Sequence, residues 1–100
     1  MAVINSKVIS GELQGSASAV QGPDIDCLQV TFKALASNAG NVYLGAAGVT
    51  VADGTTDTTT GIELDAGDEI TLVIGNLSKI YRICDNAGDD ITYIALTAGA

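Results

Sequence analysis

The acidic side chains are the residues whose spacing comes closest to a chemical site. They form three clusters: Asp24 and Asp26; Asp65, Asp68 and Glu69; and Asp85, Asp89 and Asp90. Paired carboxylates can exchange protons with a substrate or bind Ca²⁺. The run DNAGDD (residues 85–90) is the best candidate for a hard cation, because oxygen ligands surround a glycine there. It lacks the spacing of an EF-hand loop, and Asp, Asn and Gly also build turns for conformational reasons. We therefore favour a solvated hairpin turn at residues 85–90 and predict no metal site.

The sequence lacks the residues on which most catalytic sites depend. It contains no histidine, which removes Ser-His and Cys-His nucleophile pairs and the commonest metal ligand. It also has no glycine-rich phosphate loop with its lysine. Cys27 and Cys84 are far apart in sequence, and neither belongs to a CxxC pair of the kind that binds zinc. We predict a protein that is not an enzyme and has no catalytic residue and no cofactor.

The two cysteines are predicted to be free thiols. The first thirteen residues carry one lysine and no continuous apolar run, so we expect no secretory signal and synthesis in a reducing cytoplasm. A disulfide is the less favoured alternative, because sequence does not supply the separation that such a bond requires. Alternation places Cys27 on the polar side of its strand. We interpret it as a small filler and not a reactive thiol, since an acidic chain raises a thiol pKa.

Charge limits the choice of partners. Four Lys+Arg residues against 12 Asp+Glu residues give a formal net charge of −8. Such a chain repels phosphate backbones and anionic lipid surfaces, and no stretch approaches the roughly 20 apolar residues of a membrane span. We predict binding to protein surfaces, and neither to nucleic acid nor to a membrane.

Alternation of apolar and polar residues predicts the elements that position these side chains. In residues 27–36 the apolar positions are Leu28, Val30, Phe32 and Ala34. The same pattern predicts strands over residues 69–75, 78–85 and 90–97, and shorter strands over 2–9, 12–20, 41–44, 49–52 and 62–64. Turn residues separate them, including Ser10-Gly11 and Asp53-Gly54. Short strands at this spacing are typical of an all-β fold: an antiparallel β-sandwich or a jelly-roll-like domain.

We expect a single domain over residues 1–100, with the Thr-rich segment 54–61 as an exposed loop. Residues 1–10 are either the first strand or an arm that docks on a partner. Their apolar side chains are candidate interface residues, and Tyr43 and Tyr81 are candidate aromatic anchors: the set is Val3, Ile4, Val8, Ile9, Tyr43 and Tyr81. The tyrosines, with Tyr93, could equally lie at the edge of the core with the hydroxyl in water. Lys79 and Arg82 are either solvated or part of an intersubunit salt bridge.

Three segments carry a resemblance to a known family. They are CLQVTFKALASNAGNVYLG (residues 27–45), IELDAGDEITLVIGNLSKIYRI (residues 62–83) and GDDITYIAL (residues 88–96). In these segments the chain resembles a family of small tailed-bacteriophage proteins, often encoded near the major capsid protein. The pieces that resemble it most are residues 34–45, LDAGD (64–68) and NLSKIY (76–81). The Thr-rich stretch 55–60 looks like an insertion relative to that pattern.

The resemblance implies a capsid decoration (cement) protein, or a related head or tail accessory. Members of the family are β-sandwich or jelly-roll-like modules, so the expected partner is the major capsid protein. The expected location is the capsid surface of a virion made in the host cytoplasm. A homo-oligomer, with a trimer favoured, follows from the class of protein and not from any residue here. Two alternatives remain: a receptor- or glycan-binding module of a head fibre or tail tip, and a small hydrolase that uses Asp85, Asp89 and Asp90.

Overall fold

Two four-stranded antiparallel sheets make up the fold of the computed structural model, which describes residues 6–98. Sheet A has the strand order β1-β8-β3-β6, and sheet B has the order β2-β7-β4-β5. The strands are β1 (Ser6–Leu13), β2 (Val20–Gln21), β3 (Gln29–Ala34), β4 (Val42–Gly45), β5 (Ile62–Leu64), β6 (Glu69–Leu72), β7 (Tyr81–Cys84) and β8 (Ile91–Ala98). A short 3-10 helix, Leu77–Lys79, precedes β7. None of the helical structure in residues 6–98 has the length and apolar character to span a membrane.

The central strand β3 shows why these residues form strands. Val30, Phe32 and Ala34 are almost fully buried, while the residues between them point away from the core. Successive side chains of a strand point to opposite faces, so a period of two buries one whole row. Burying a side chain such as that of Phe32 contributes about 1.5–3 kcal/mol. The alternation therefore selects which face of sheet A lies against sheet B.

The core lies between the two sheets. Sheet A contributes the buried side chains of β3 together with Ile91 and Ala95, and sheet B contributes Val42, Leu44, Leu64 and Cys84. Leu77, from the 3-10 helix, is also fully buried in this cluster. The sequence-based prediction of an all-β antiparallel sandwich is confirmed.

The predicted turn at Ser10-Gly11 is wrong, because both residues lie inside β1. Gly11 is opposite Tyr93 of β8. A Cβ atom on Gly11 would lie 2.7 Å from the Tyr93 hydroxyl oxygen and 2.9 Å from its ring carbons. The glycine therefore makes room for an aromatic ring and does not turn the chain.

Other predicted boundaries also shift. Of the predicted strand over residues 12–20, only its two ends belong to strands, and residues 49–52 contribute only an isolated bridge between Thr50 and Thr60. Leu28, predicted on the buried side, is 51% exposed because β3 begins only at the next residue. The predicted strand 78–85 starts in the 3-10 helix. There the Asn76 side chain accepts a hydrogen bond from the Ser78 N–H at 2.8 Å and caps the helix.

Candidate interaction surface

The acidic loop of residues 85–90 is built around one buried carboxylate, Asp89, which is 2% exposed. Its Oδ1 accepts hydrogen bonds from the N–H groups of Ala39 at 3.0 Å and Gly40 at 3.3 Å. Its Oδ2 accepts from the Asn86 N–H at 3.2 Å and the Asn86 Nδ2 at 3.0 Å. The loop joins β7 of sheet B to β8 of sheet A. The predicted hairpin is therefore wrong, since β7 and β8 lie in different sheets. Residues 85–88 are exposed, as predicted for a solvated turn, whereas Asp89 is buried.

The neighbouring acids also bind backbone. Asp85 Oδ2 accepts a hydrogen bond from the Asn41 N–H at 2.9 Å, and Asp90 Oδ1 accepts one from the Gly15 N–H at 2.9 Å. Asn38 and Asp90 exchange two further hydrogen bonds, at 2.9 and 3.0 Å. Among residues 6–98 no three acidic or cysteine side chains converge as metal ligands. Asp85, Asp89 and Asp90 thus tie three loops together through backbone hydrogen bonds.

Two opposing effects set the pKa of Asp89. Burial acts to raise this pKa and is the largest single influence. The hydrogen bonds donated by Gly40, Asn86 and Ala39 favour the charged carboxylate, and together they outweigh burial. The pKa of Asp89 therefore lies below its ordinary value, as expected for an anion held by several backbone donors.

Both cysteines are free thiols inside the sandwich. Cys27 precedes β3 and is 5% exposed, so its predicted position on the polar side of the strand is wrong. Its Sγ donates to the Ile74 carbonyl at 3.2 Å. Burial, followed by the nearby Asp26 carboxylate, raises the pKa of the Cys27 thiol. Burial likewise raises the pKa of Cys84. Both side chains therefore act as small, protonated core residues.

Arg82 is held within the fold. Its Nε donates to the Gln14 carbonyl at 2.9 Å, and its Nη1 donates to the Gln21 carbonyl at 3.4 Å. These contacts fasten the segment between β1 and β2 onto β7. The guanidinium thus already has partners inside its own chain, which does not fit a role as a free group awaiting an intersubunit salt bridge.

The candidate interface residues fall into separate environments. Val3 and Ile4 lie outside the described residues. Val8 is 62% exposed on β1, whereas Ile9, the next residue, packs against the core. Residues 6–10 belong to β1, so this part of the N-terminal segment is strand.

The two tyrosine candidates offer less surface than predicted. Tyr43 is 4% exposed, and burial, followed by the Asp85 carboxylate, raises its pKa. Its ring supports the fold and is covered from an outside partner. Tyr81 and Tyr93 are both half-buried.

The outer face of sheet A carries an exposed surface without charge. The register places Val8 beside Leu96 and Gln29 in one row, and Ser10 beside Ile94, Thr31 and Thr71 in the next. Val73, which directly follows β6, is 82% exposed. We call this surface the uncharged face; its residues are Val8, Ser10, Gln29, Thr31, Thr71, Val73, Ile94 and Leu96.

Among the side chains on this outer face of sheet A, the charged ones lie at one end. The row next to the one that contains Ser10 and Ile94 consists of four neighbouring residues: Glu12, Thr92, Lys33 and Glu69. Within the uncharged face, the Thr31 and Thr71 hydroxyl oxygens are 2.7 Å apart and hydrogen-bonded. This hydrogen bond holds the two threonine side chains in place within the face.

Part of the outer face of sheet B, around Gly45, is covered by the chain itself. Val49, from the long connection between β4 and β5, is 2% exposed. A Cβ atom on Gly45 would lie 2.8 Å from the Val49 Cγ2, and one on Gly61 would lie 2.7 Å from it. Gly45 alternates with the core residue Leu44, so Val49 packs on the outer side of the sheet. The two glycines are the sequence signal for this packing.

The described part of the chain has no pocket for a small ligand.

No family model matches the sequence, and no curated protein matches it. A solved structure from Bacillus endospore appendages, described as a family of disulfide-linked pili, is similar at 13% identity and a TM-score of 0.47. The likeness covers 95% of this chain and 88% of that one. A likeness of this size does not establish a shared function. The resemblance to bacteriophage proteins stays a prediction. What residues 6–98 define is an acidic β-sandwich with one exposed, uncharged sheet face.

Proposed function

We propose that this chain is a structural, non-enzymatic protein that binds an assembled protein shell through the uncharged face. The observation that carries the proposal is the contrast between this face and a chain with a net charge of −8. The cores of protein interfaces are depleted in charged residues, because burying a charge costs free energy. The uncharged face can lose its water without that cost.

The particular role we propose is capsid decoration of a bacteriophage head, with the major capsid protein as partner and the capsid surface as location. This finer statement rests on the sequence resemblance. The uncharged face holds far fewer side chains than the roughly 20–30 residues that a stable interface uses on each side. A single contact is therefore weak, and repeated sites on a shell supply avidity to a homo-oligomer. A ligand that binds only the assembled shell stabilises it by mass action.

Charge placed on the uncharged face tests the proposal. We expect Val73→Asp to weaken binding to purified shells at least roughly tenfold, since an unpaired carboxylate must be desolvated. Ile62→Asp is the matched control, because Ile62 is 56% exposed but lies on β5 of the other sheet. Binding is measured by co-sedimentation with shells that lack this protein. Equal loss in both variants, or no binding by the unmodified chain, would contradict the proposal.

The second candidate is a receptor- or glycan-binding module of a head fibre or tail tip. It is favoured by the Thr-rich loop, in which residues 52–59 are all exposed. Asp53 and Asp57 each hold a threonine in this loop, which fixes how its hydroxyls are presented. A glycan array with the intact chain and with a chain shortened over residues 54–60 separates the two functions. Loop-dependent glycan binding supports the module, whereas shell binding without the loop supports decoration.

A further inference from the structure

Strand β1 is an unusually long open edge. It has eight residues and pairs along its whole length with β8 on one side. The other three edge strands have two, three and four residues. Natural sheets keep exposed edges short, because unpaired N–H and C=O groups attract another strand. Within residues 6–98, β1 has no strand on its outer side.

The hydrogen-bond pattern shows which backbone groups of β1 are open. In sheet A the Ala34 N–H donates to the Asp68 carbonyl, on the β6 side of β3, at 2.9 Å. The next N–H, of Leu35, donates to the Asp90 carbonyl on the β8 side at 3.2 Å. Backbone groups in an antiparallel ladder alternate in this way. Odd-numbered residues of β3, such as Thr31, therefore bond to β8.

The strand register then shows which backbone groups of β1 form hydrogen bonds with β8. Thr31 is opposite Ile94, so even-numbered residues of β8 bond to β3 and odd-numbered residues bond to β1. Ala95 is opposite Ile9, which turns the N–H and C=O of odd-numbered β1 residues toward β8. The N–H and C=O groups of the even-numbered β1 residues therefore point to the open edge. These residues are Ser6, Val8, Ser10 and Glu12.

We propose that a second copy of this chain adds to this edge, with the two β1 strands antiparallel and related by a two-fold axis near Ile9. Val8 of one copy then lies opposite Ser10 of the other, and Ser6 lies opposite Glu12. This register uses all four open residues on each strand. A two-fold axis perpendicular to the sheet keeps both cores on the same side, as a closed dimer requires.

Charge complementarity favours a second copy in this direction. β1 carries one positive residue near its start, Lys7, and one negative residue near its end, Glu12. Its net charge is zero, although the chain as a whole carries −8. Antiparallel pairing brings the Lys7 end of one strand beside the Glu12 end of the other, whereas parallel pairing would place like charges together. Lys7 and Glu12 are five residues apart, so their side chains project from opposite faces of the sheet and do not form a cross-strand pair. The attraction is between the oppositely charged ends of the two strands, and like charges brought to the same end repel.

The dimer would join the two sheets A into one eight-stranded sheet and place two uncharged faces side by side. It goes beyond the proposed function, because it specifies how copies associate whatever surface they bind. It also gives a two-fold dimer where the family resemblance implies a trimer, so the measured mass discriminates between them.

Ser10→Pro is the sharpest test. Proline removes the open N–H of Ser10, and it fits an edge strand because that N–H makes no bond to β8. Sedimentation equilibrium of the unmodified chain should show a dimer. In Ser10→Pro the dissociation constant should rise at least roughly tenfold, because two of the intermolecular hydrogen bonds are lost. The matched control Ser10→Thr keeps the N–H and should dimerise normally. Circular dichroism and thermal unfolding verify that both variants fold.

A charge exchange tests the direction of pairing. At low salt Lys7→Glu should weaken the dimer a few-fold, because the two strand ends then repel, and the double variant Lys7→Glu with Glu12→Lys should restore it. Both residues are exposed, so the fold should tolerate these changes. A monomer or a trimer from the unmodified chain would overturn the proposal. So would a Ser10→Pro variant that folds and still forms the dimer, or a double variant that is no better than the single one.

Discussion

Two polar loops of this chain look alike in sequence and differ in structure. Residues 85–90 (DNAGDD) and residues 53–60 (DGTTDTTT) both combine aspartate with small turn-forming residues. In the first loop Asp89 is buried and accepts hydrogen bonds from Ala39 and Gly40, on a different connection of the sandwich. In the second loop the two aspartates are exposed. One loop fastens the two sheets together, while the other lies on the surface.

The exposed loop is organised by contacts two residues apart. Asp53 Oδ1 accepts hydrogen bonds from the Thr55 N–H at 3.0 Å and its hydroxyl at 2.6 Å. Asp57 Oδ1 accepts from the Thr59 N–H and hydroxyl, both at 2.7 Å. The threonine hydroxyls, followed by their N–H groups, lower the pKa of both aspartates. The pKa of Asp89 is also lowered, so a lowered pKa does not distinguish the loops. The loops differ instead in the sequence separation between hydrogen-bond partners, which is two residues in the exposed loop and about 50 residues between Asp89 and Ala39 or Gly40.

Removing the buried carboxylate should give the largest effect. We expect Asp89→Ala to lower the free energy of unfolding by about 3 kcal/mol, because four part-buried donor groups lose their acceptor and a buried side chain is removed. Urea unfolding followed by circular dichroism measures the change. Asp85→Ala is the control, since its exposed carboxylate accepts one hydrogen bond, from the Asn41 N–H. Its expected cost is about 1 kcal/mol. Equal costs would mean that the burial of Asp89 does not matter.

Asp89→Asn should have a smaller effect, of about 1–2 kcal/mol. The side chain keeps its size, and its oxygen can still accept from Ala39 and Gly40. Its new NH₂ group then faces the two donors of Asn86, where the carboxylate had an acceptor. If the carboxylate acts only by filling space, the Asn variant will unfold at the same urea concentration as the unmodified chain.

The sequence predicts the sheets better than it predicts the roles of the loops. Alternation in β3 depends on nearest neighbours, so Val30, Phe32 and Ala34 can be assigned to the core without a structure. The role of Asp89 depends on a loop some 50 residues away, which no local pattern reveals. For the same reason alternation predicts that each sheet has an outer face but cannot say which is bare. That depends on Val49 packing over Gly45 on sheet B.

Acid should weaken the fold through Asp89. Its pKa is lower in the folded chain than the value of about 3.9 expected when unfolded. The folded state therefore binds its proton less readily, and the contribution of Asp89 is fully present above about pH 4. It is lost as the pH falls through the unfolded and then the folded value. Below about pH 4, the unmodified chain should lose more unfolding free energy than Asp89→Asn. If the unfolding free energies of the two proteins fall equally as the pH is lowered, the acid sensitivity belongs to other carboxylates.

The smallest effects belong to the exposed loop. Asp53→Ala and Asp57→Ala should leave the urea midpoint unchanged, because each carboxylate holds only a turn of its own loop in water. The local effect should be visible in amide hydrogen exchange, where Thr55 loses protection in the first variant and Thr59 in the second. The Thr59 hydroxyl is also 3.0 Å from that of Thr50, and the Thr50 N–H donates to the Thr59 carbonyl at 3.0 Å. Asp57→Ala should therefore also release the Thr50 amide, whereas Asp53→Ala should not. A fall in the global midpoint for either variant would show that this loop, like residues 85–90, holds distant parts of the sandwich together.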